Sequence, residues 1–92
     1  MIDVEGYELE VIKGAIQTIR RLQPLIVFEY NHISKQHFKV EEIKETIGDQ
    51  YKIFRLRADS FLDNDIDNAW NCIAIPSQTI FEEILSPKIC VE

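Results

Sequence analysis

Two segments decide how this chain folds: Met1-Ile-Asp-Val-Glu-Gly6 and Pro24-Leu-Ile-Val-Phe-Glu-Tyr-Asn31. The first reads as the end of a buried strand that turns tightly at Gly6. The second reads as an almost wholly apolar strand carrying polar groups at its far end. Between them Leu9, Ile12, Ala15, Ile16, Ile19 and Leu22 recur in steps of three and four, which places them on one helical face over about residues 7–22. Two parallel strands joined by a helix need a crossover of this length. In such units ligands sit beyond the carboxyl ends of the strands. Asp3, Glu5, Glu29, Tyr30 and Asn31 fall at those ends, so a site is expected there.

Helix and strand both carry further signals. Glu8 and Glu10 lie near the positive end of the helix dipole, Arg20 and Arg21 near its negative end. Gly14 inside the helix costs about 1 kcal/mol against alanine, which a close approach of the helix to the sheet would justify. Pro24 prevents the helix from continuing. Leu25 to Phe28 is continuous rather than alternating, so both faces of this strand should be covered, as in the interior of an α/β sheet.

Asn31 to Lys39 reads as a loop holding His32 and His37. Val40 to Ile47 reads as a helix, with Val40, Ile43 and Ile47 on its apolar face and Gly48 as its C-cap. Tyr51 to Leu56 reads as a strand, residues 57–69 as a polar, acidic connection, and Asn71 to Ile75 as a short apolar strand stopped by Pro76. Ser77 is placed to cap a last helix running to about residue 85, with Ile80, Phe81, Ile84 and Leu85 as its apolar face. The connection between the last two strands carries no helical pattern, so that pair should be antiparallel. The expected fold is α/β: a single domain with strands near 1–5, 25–30, 51–56 and 71–75 and helices near 7–22, 40–47 and 77–85. Its sheet should be small, mostly parallel and have one antiparallel strand.

Ninety-two residues leave room for one core. A hydrophobic fraction of 46% and a charged fraction of 28% belong to a globular chain rather than a disordered one. No apolar run approaches the ~20 residues that span a bilayer. The helix over 7–22 has no basic polar face with which to lie on lipid. The acidic N-terminus is not a signal peptide, so the cytoplasm is the expected compartment. A net charge of −6 argues against nucleic acid, whose phosphates need clustered Lys and Arg. Cys72 and Cys90 are too few for a disulfide scaffold and lack metal-ligand spacing; buried thiols are expected.

Each candidate site residue has a plain structural alternative. Glu5 can cap the following helix and Asp3 can satisfy turn amides, while Glu29 can pair with His32 or a lysine. His32 and His37 lie five apart in a loop, and nothing brings a third metal ligand to them, so no metal is expected. Asp63-Asn-Asp-Ile-Asp67 has the opening of a calcium loop, but its sixth position is Asn68 rather than glycine and its twelfth is Ala74 rather than glutamate. A solvated acidic loop is the better reading. Trp70 is read as a core or edge anchor.

The string Ile-Asp-Val-Glu-Gly-Tyr-Glu-Leu-Glu-Val-Ile-Lys-Gly-Ala at 2–15 resembles the stretch after the fourth strand of FkbM-type methyltransferases, which depend on S-adenosylmethionine. The resemblance continues through Pro-Leu-Ile-Val-Phe-Glu-Tyr-Asn, Tyr-Lys-Ile-Phe-Arg-Leu and Asn-Cys-Ile-Ala-Ile-Pro. It implies a partial Rossmann-like sheet made of the family's fourth to seventh strands, the last inserted antiparallel between its two predecessors. The chain would then be the C-terminal half of the family's domain. It implies that Asp3, Glu5 and Glu29 are catalytic or pocket residues and that Tyr30, Asn31 and His32 meet the substrate. The family holds its cofactor with a Gly-rich turn, and this sequence has three glycines and no Gly-x-Gly. S-adenosylmethionine is therefore expected in the full family domain, without tight binding to this chain alone. An open edge at the first strand is expected to drive self-association or to take a companion chain, and a non-catalytic interaction module built on the same scaffold is the rival expectation.

Overall fold

The structure, a computed structural model, describes residues 8–90. The expected first strand near 1–5, with Asp3 and Glu5, lies outside the described residues.

The chain enters through two consecutive short helices, α1 (Glu8–Gly14) and α2 (Ile16–Leu22). They follow the expected periodicity, and Leu9, Ile12 and Ile19 are buried as that face requires. The single long helix expected over 7–22 is broken at Ala15, whose backbone sits at φ −103°, ψ 10°. No close approach accounts for Gly14 either, because a Cβ placed there meets nothing within 4 Å. Gln23, in the left-handed conformation, ends α2 by donating its N–H to the Ile19 carbonyl, and Pro24 leads into strand β1 (Ile26–Glu29).

The expected loop over 31–39 contains one helical turn, α3 (Ser34–His37). Helix α4 (Val40–Ile47) has the expected bounds, and Glu42 accepts the Lys39 backbone N–H at 3.1 Å in the first turn. Gly48 closes it at φ 84°, a conformation that suits glycine. Strand β2 (Tyr51–Leu56) follows, then a two-residue strand β3 (Leu62–Asp63), a 3₁₀ turn at Ile66–Asn68 and strand β4 (Asn71–Pro76). The last helix, α5 (Ile80–Leu85), starts later than Ser77 and continues into a 3₁₀ turn at Ser86–Lys88. Its start is set by Gln78, whose N–H reaches Glu82, while the Thr79 hydroxyl is spent on the Pro76 carbonyl.

The sheet order is β1-β4-β2-β3, and every adjacent pair is antiparallel. The mostly parallel, Rossmann-like sheet expected from the sequence is therefore not the sheet seen among the described residues. The physical reason is β4: it returns from β2 without a crossover helix and inserts between β1 and β2. Those two strands still run in the same direction, because both are antiparallel to β4, but they do not touch. The fold class is a mixed α/β small domain.

Registers across the sheet sort its faces. Phe28, Cys72 and Arg55 form one row and Ile26, Ala74 and Ile53 another. These rows look toward α1, α2 and α4, whose Leu9, Ile12, Ile19, Ile43 and Ile47 complete the main core. Burial pushes the free Cys72 thiol up to about 12, so it stays protonated and unreactive. The opposite face carries Val27, Ile73, Ile75, Phe54 and Leu62, packed with Leu85 and Ile89. It is the more thinly covered side, since Val27 and Phe54 remain half-buried, contrary to the even cover expected for β1. Two further expectations are corrected here: Trp70 is 62% exposed, and on α5 Ile80 and Ile84 face solvent at 65% and 62%. Cys90 is exposed as well. Among the described residues no helix is long and apolar enough to cross a membrane.

Candidate functional site

Because β1 and β2 run the same way, their carboxyl ends open on one side of the sheet, where β4 begins. Glu29 ends β1, Leu56 ends β2, and Asn71 lies between them in register with both. Directly opposite residues of antiparallel strands project to one face, so Glu29 and Asn71 are side-by-side neighbours. The Tyr30 N–H donates to the Trp70 carbonyl at 2.9 Å and holds the two chain ends together beyond the ladder.

The expected site residues reach different places. The Glu29 carboxylate accepts a short hydrogen bond from the Asn31 amide. The Asn31 oxygen accepts the N–H groups of Ile33 and Ser34, each at 3.0 Å, and the Ser34 hydroxyl at 3.2 Å. Asn31 thus caps the first turn of α3, and its side chain, 5% exposed, is committed to that work. Replacing Asn31 by alanine is expected to cost about 1 kcal/mol, read as a lower urea midpoint with unchanged slope. An unchanged midpoint would show that the cap carries no weight. His32 is exposed, its ring 6.1 Å from that of Trp70. Tyr30 points to the other face, into the main core, where its hydroxyl accepts the Val40 N–H at 3.0 Å and its ring tilts against Phe38. The structure therefore brings Glu29, Asn31, His32 and Trp70 to one rim and sends Tyr30 away from it.

Asn71 is the residue that the sequence reading passed over. Its side-chain oxygen is buried and has no hydrogen-bond partner among the described residues, and an unmet buried acceptor costs about 1–3 kcal/mol. The signal was an amide opening an otherwise apolar strand. Next to it a groove of about 370 Å³ runs between Arg57, Asp59, Asn68 and Trp70. A larger hollow, about 1160 Å³, lies elsewhere, as an open shelf between Phe54, Ile75 and α5. Two of its three charged members, Lys52 and Glu82, pair with each other at 3.0 Å, and Glu83 is the third.

The acidic stretch at 63–67 is a structural clasp. Asp63 takes a bidentate hydrogen bond from Arg55, at 2.8 Å to Nε and 2.5 Å to Nη2, and also accepts the Asp65 N–H. Asp65 in turn holds the Asn68 amide. Among the described residues no group of three His, Cys, Asp or Glu side chains is arranged to hold a metal.

The model of the methyltransferase FkbM domain matches residues 1–68 of the 92-residue chain, and the chain belongs to that family. No curated protein and no solved structure matches it. The family's full domain works with S-adenosylmethionine. The 92 residues contain no Gly-x-Gly turn of the kind that holds such a cofactor.

Proposed function

We propose that this chain serves as the C-terminal, acceptor-side segment of an S-adenosylmethionine-dependent O-methyltransferase of the FkbM type, acting in the cytoplasm, and that it does not turn over substrate by itself. The family match over residues 1–68 carries this reading. The rim geometry supports the choice of acceptor: the half-buried Glu29 carboxylate at the end of β1 is a hydrogen-bond acceptor and suits an incoming hydroxyl donor. Glu29 orients that hydroxyl or takes its proton as general base, with Asp3 and Glu5 from the family string as its partners and Asn31 fixing its rotamer. His32 and Trp70 flank the acceptor. Tyr30 shapes the end of β1 from the opposite face. Alignment dominates methyl transfer by direct displacement, so these residues position more than they activate.

Inactivity of the chain alone follows from its glycines: none of the 92 residues forms the Gly-x-Gly turn that approaches the cofactor. The turn comes from residues outside the 92 given, either elsewhere in the same polypeptide or on a companion chain docked on this one. A second reading, a non-catalytic interaction or oligomerisation module, is favoured by one observation, the solvent-facing Ile80 and Ile84 of α5.

Isothermal titration of the chain with S-adenosylmethionine, with its mass measured in parallel by light scattering, tests the proposal. No saturable heat is expected. Micromolar binding would overturn the claim that the cofactor site is missing and would return Glu29 to the list of working catalytic groups. A concentration-dependent dimer that binds no cofactor favours the interaction module, whereas a strict monomer counts against both docking proposals.

A further inference from the structure

On the helix-covered face, away from Glu29, lies a second cavity of about 440 Å³ whose floor includes Tyr30 and Ile53 and whose walls carry Lys35, Lys39 and Lys44. Half of the six lysines of an acidic chain meet at this one place. Among the described residues neither Lys39 nor Lys44 has a carboxylate at ion-pair distance. Lys35 is held in position, its ammonium donating to the Asp67 and Ala69 carbonyls at 2.5 and 3.4 Å and lying 5.4 Å over the Tyr30 ring. Carbonyls are neutral, so the Lys35 charge remains uncompensated.

Tyr30 adds an independent sign. It is 5% exposed, and its oxygen accepts the Val40 N–H, yet its own O–H has no acceptor among the described residues. The hydroxyl is only part-buried and belongs to the cavity lining, so its proton is available to a bound acceptor. The first turn of α4, with its partial positive charge, opens on the same cavity through Val40 and Glu41. Two carboxylates, Glu41 and Asp67, also stand at the rim. Three ammonium groups against two carboxylates leave the cavity net positive in a chain of net charge −6. Burial, and then the nearby acids, hold the Tyr30 phenol above its ordinary value. The hydroxyl therefore stays a donor.

We propose that this cavity is a binding site for a small oxyanion, a phosphate or carboxylate group, which accepts the Tyr30 O–H and lies between the ammonium groups of Lys39 and Lys44. The site is independent of the methyltransferase reading, because it faces the opposite side of the sheet from Glu29 and Asn71. An oxyanion there accepts the Tyr30 O–H and brings a counter-charge to the lysines. Charge-assisted hydrogen bonds are the stronger kind.

The test follows backbone amide resonances of the folded chain while inorganic phosphate is added at constant ionic strength, with acetate and chloride as separate arms. Saturable shifts confined to the amides of Lys39, Val40, Glu41 and the 66–67 turn are expected with phosphate or acetate and not with chloride. Response to phosphate alone assigns a phosphate-bearing ligand, and response to acetate alone a carboxylate. The exposed double variant Lys39→Ala, Lys44→Ala should weaken binding about tenfold or more with no change in the rest of the spectrum. Tyr30→Phe should weaken it severalfold with Lys39 and Lys44 intact. Equal shifts with chloride, no saturation with either oxyanion, or binding indifferent to the lysine pair would each overturn the proposal.

Discussion

Replacing Phe28 by alanine is expected to lower the stability of the fold by about 3–5 kcal/mol, seen as a collapse of the urea midpoint at unchanged slope. Phe28 is fully buried at the centre of β1. It sits opposite Cys72 on β4, itself opposite Arg55 on β2, and belongs to the core that α1 and α4 cover. The ring is thus the piece that joins the end strand to the helical layer. Cys72 and Ala74 beside it are small, so nothing at hand grows into the space and the cavity stays open. At roughly 0.05–0.15 kcal/mol per residue, a chain of this size has only about 5–14 kcal/mol in total, so the variant sits at the edge of folding at body temperature. A loss below about 1 kcal/mol would mean that β1 is not packed as described. Phe28→Leu, which keeps most of the volume, should recover more than half of the loss.

How far such packing could be read in advance depended on where each residue finds its partner. Leu9, Ile12 and Ile19 announced α1 and α2 because helical periodicity is local, and Val40, Ile43, Ile47 and Gly48 announced α4 for the same reason. The direction of neighbouring strands was only partly local: the antiparallel pairing of β2 with β4 was expected from their helix-free connection and is seen. The run Leu25 to Phe28 looked like an interior parallel strand, yet its paired neighbour is β4, which comes more than 40 residues later and runs against it. Strand β3 was hidden in the polar stretch 57–69 because two residues, Leu62 and Asp63, form it only through contacts with Arg55, Leu56 and Ile89. The last helix showed the opposite failure: Ile80 and Ile84 have core-like spacing, but α5 turns them outward. The candidate rim was legible at Glu29 from its place at a strand end. The role of Asn31 as a cap, and the unmet oxygen of Asn71, needed the register and the turn to be seen.

The second large effect concerns acid. Asp63 is held below the ordinary carboxylate range, first by the Arg55 hydrogen bonds, then by the Asp65 N–H and the charges of Arg55 and Arg57, with burial opposing. A carboxylate whose folded pKa lies below its unfolded value, about 3.9, adds stability that is fully present above the unfolded pKa. It is lost as pH falls through the folded one. Glu82, lowered first by Lys52 and then by the Gln78 N–H, acts in the same direction from a half-buried position. Stability should therefore be flat near neutrality and fall steeply as pH drops below about 4. Asp63→Asn should cost about 1–2 kcal/mol at pH 7, the value of a charge-assisted pair reduced for its partial exposure, and should flatten the acid limb. The two proteins should then converge in stability at the most acidic pH, where the wild-type carboxyl is protonated as well. The loss has a place as well as a size. Asp63 and Leu62 are the whole of β3, and Leu62 accepts the Cys90 N–H at 2.6 Å. Unclasping Arg55 from Asp63 frees the strand that ties the end of the chain to the sheet. Amide exchange at Cys90 and Arg57, which donates to the Phe61 carbonyl, should accelerate in Asp63→Asn while that of Ile43 in α4 barely changes. Parallel acid limbs in the two proteins, or acceleration spread evenly over the chain, would show that the Arg55–Asp63 pair is a surface ornament and that acid unfolds this domain elsewhere.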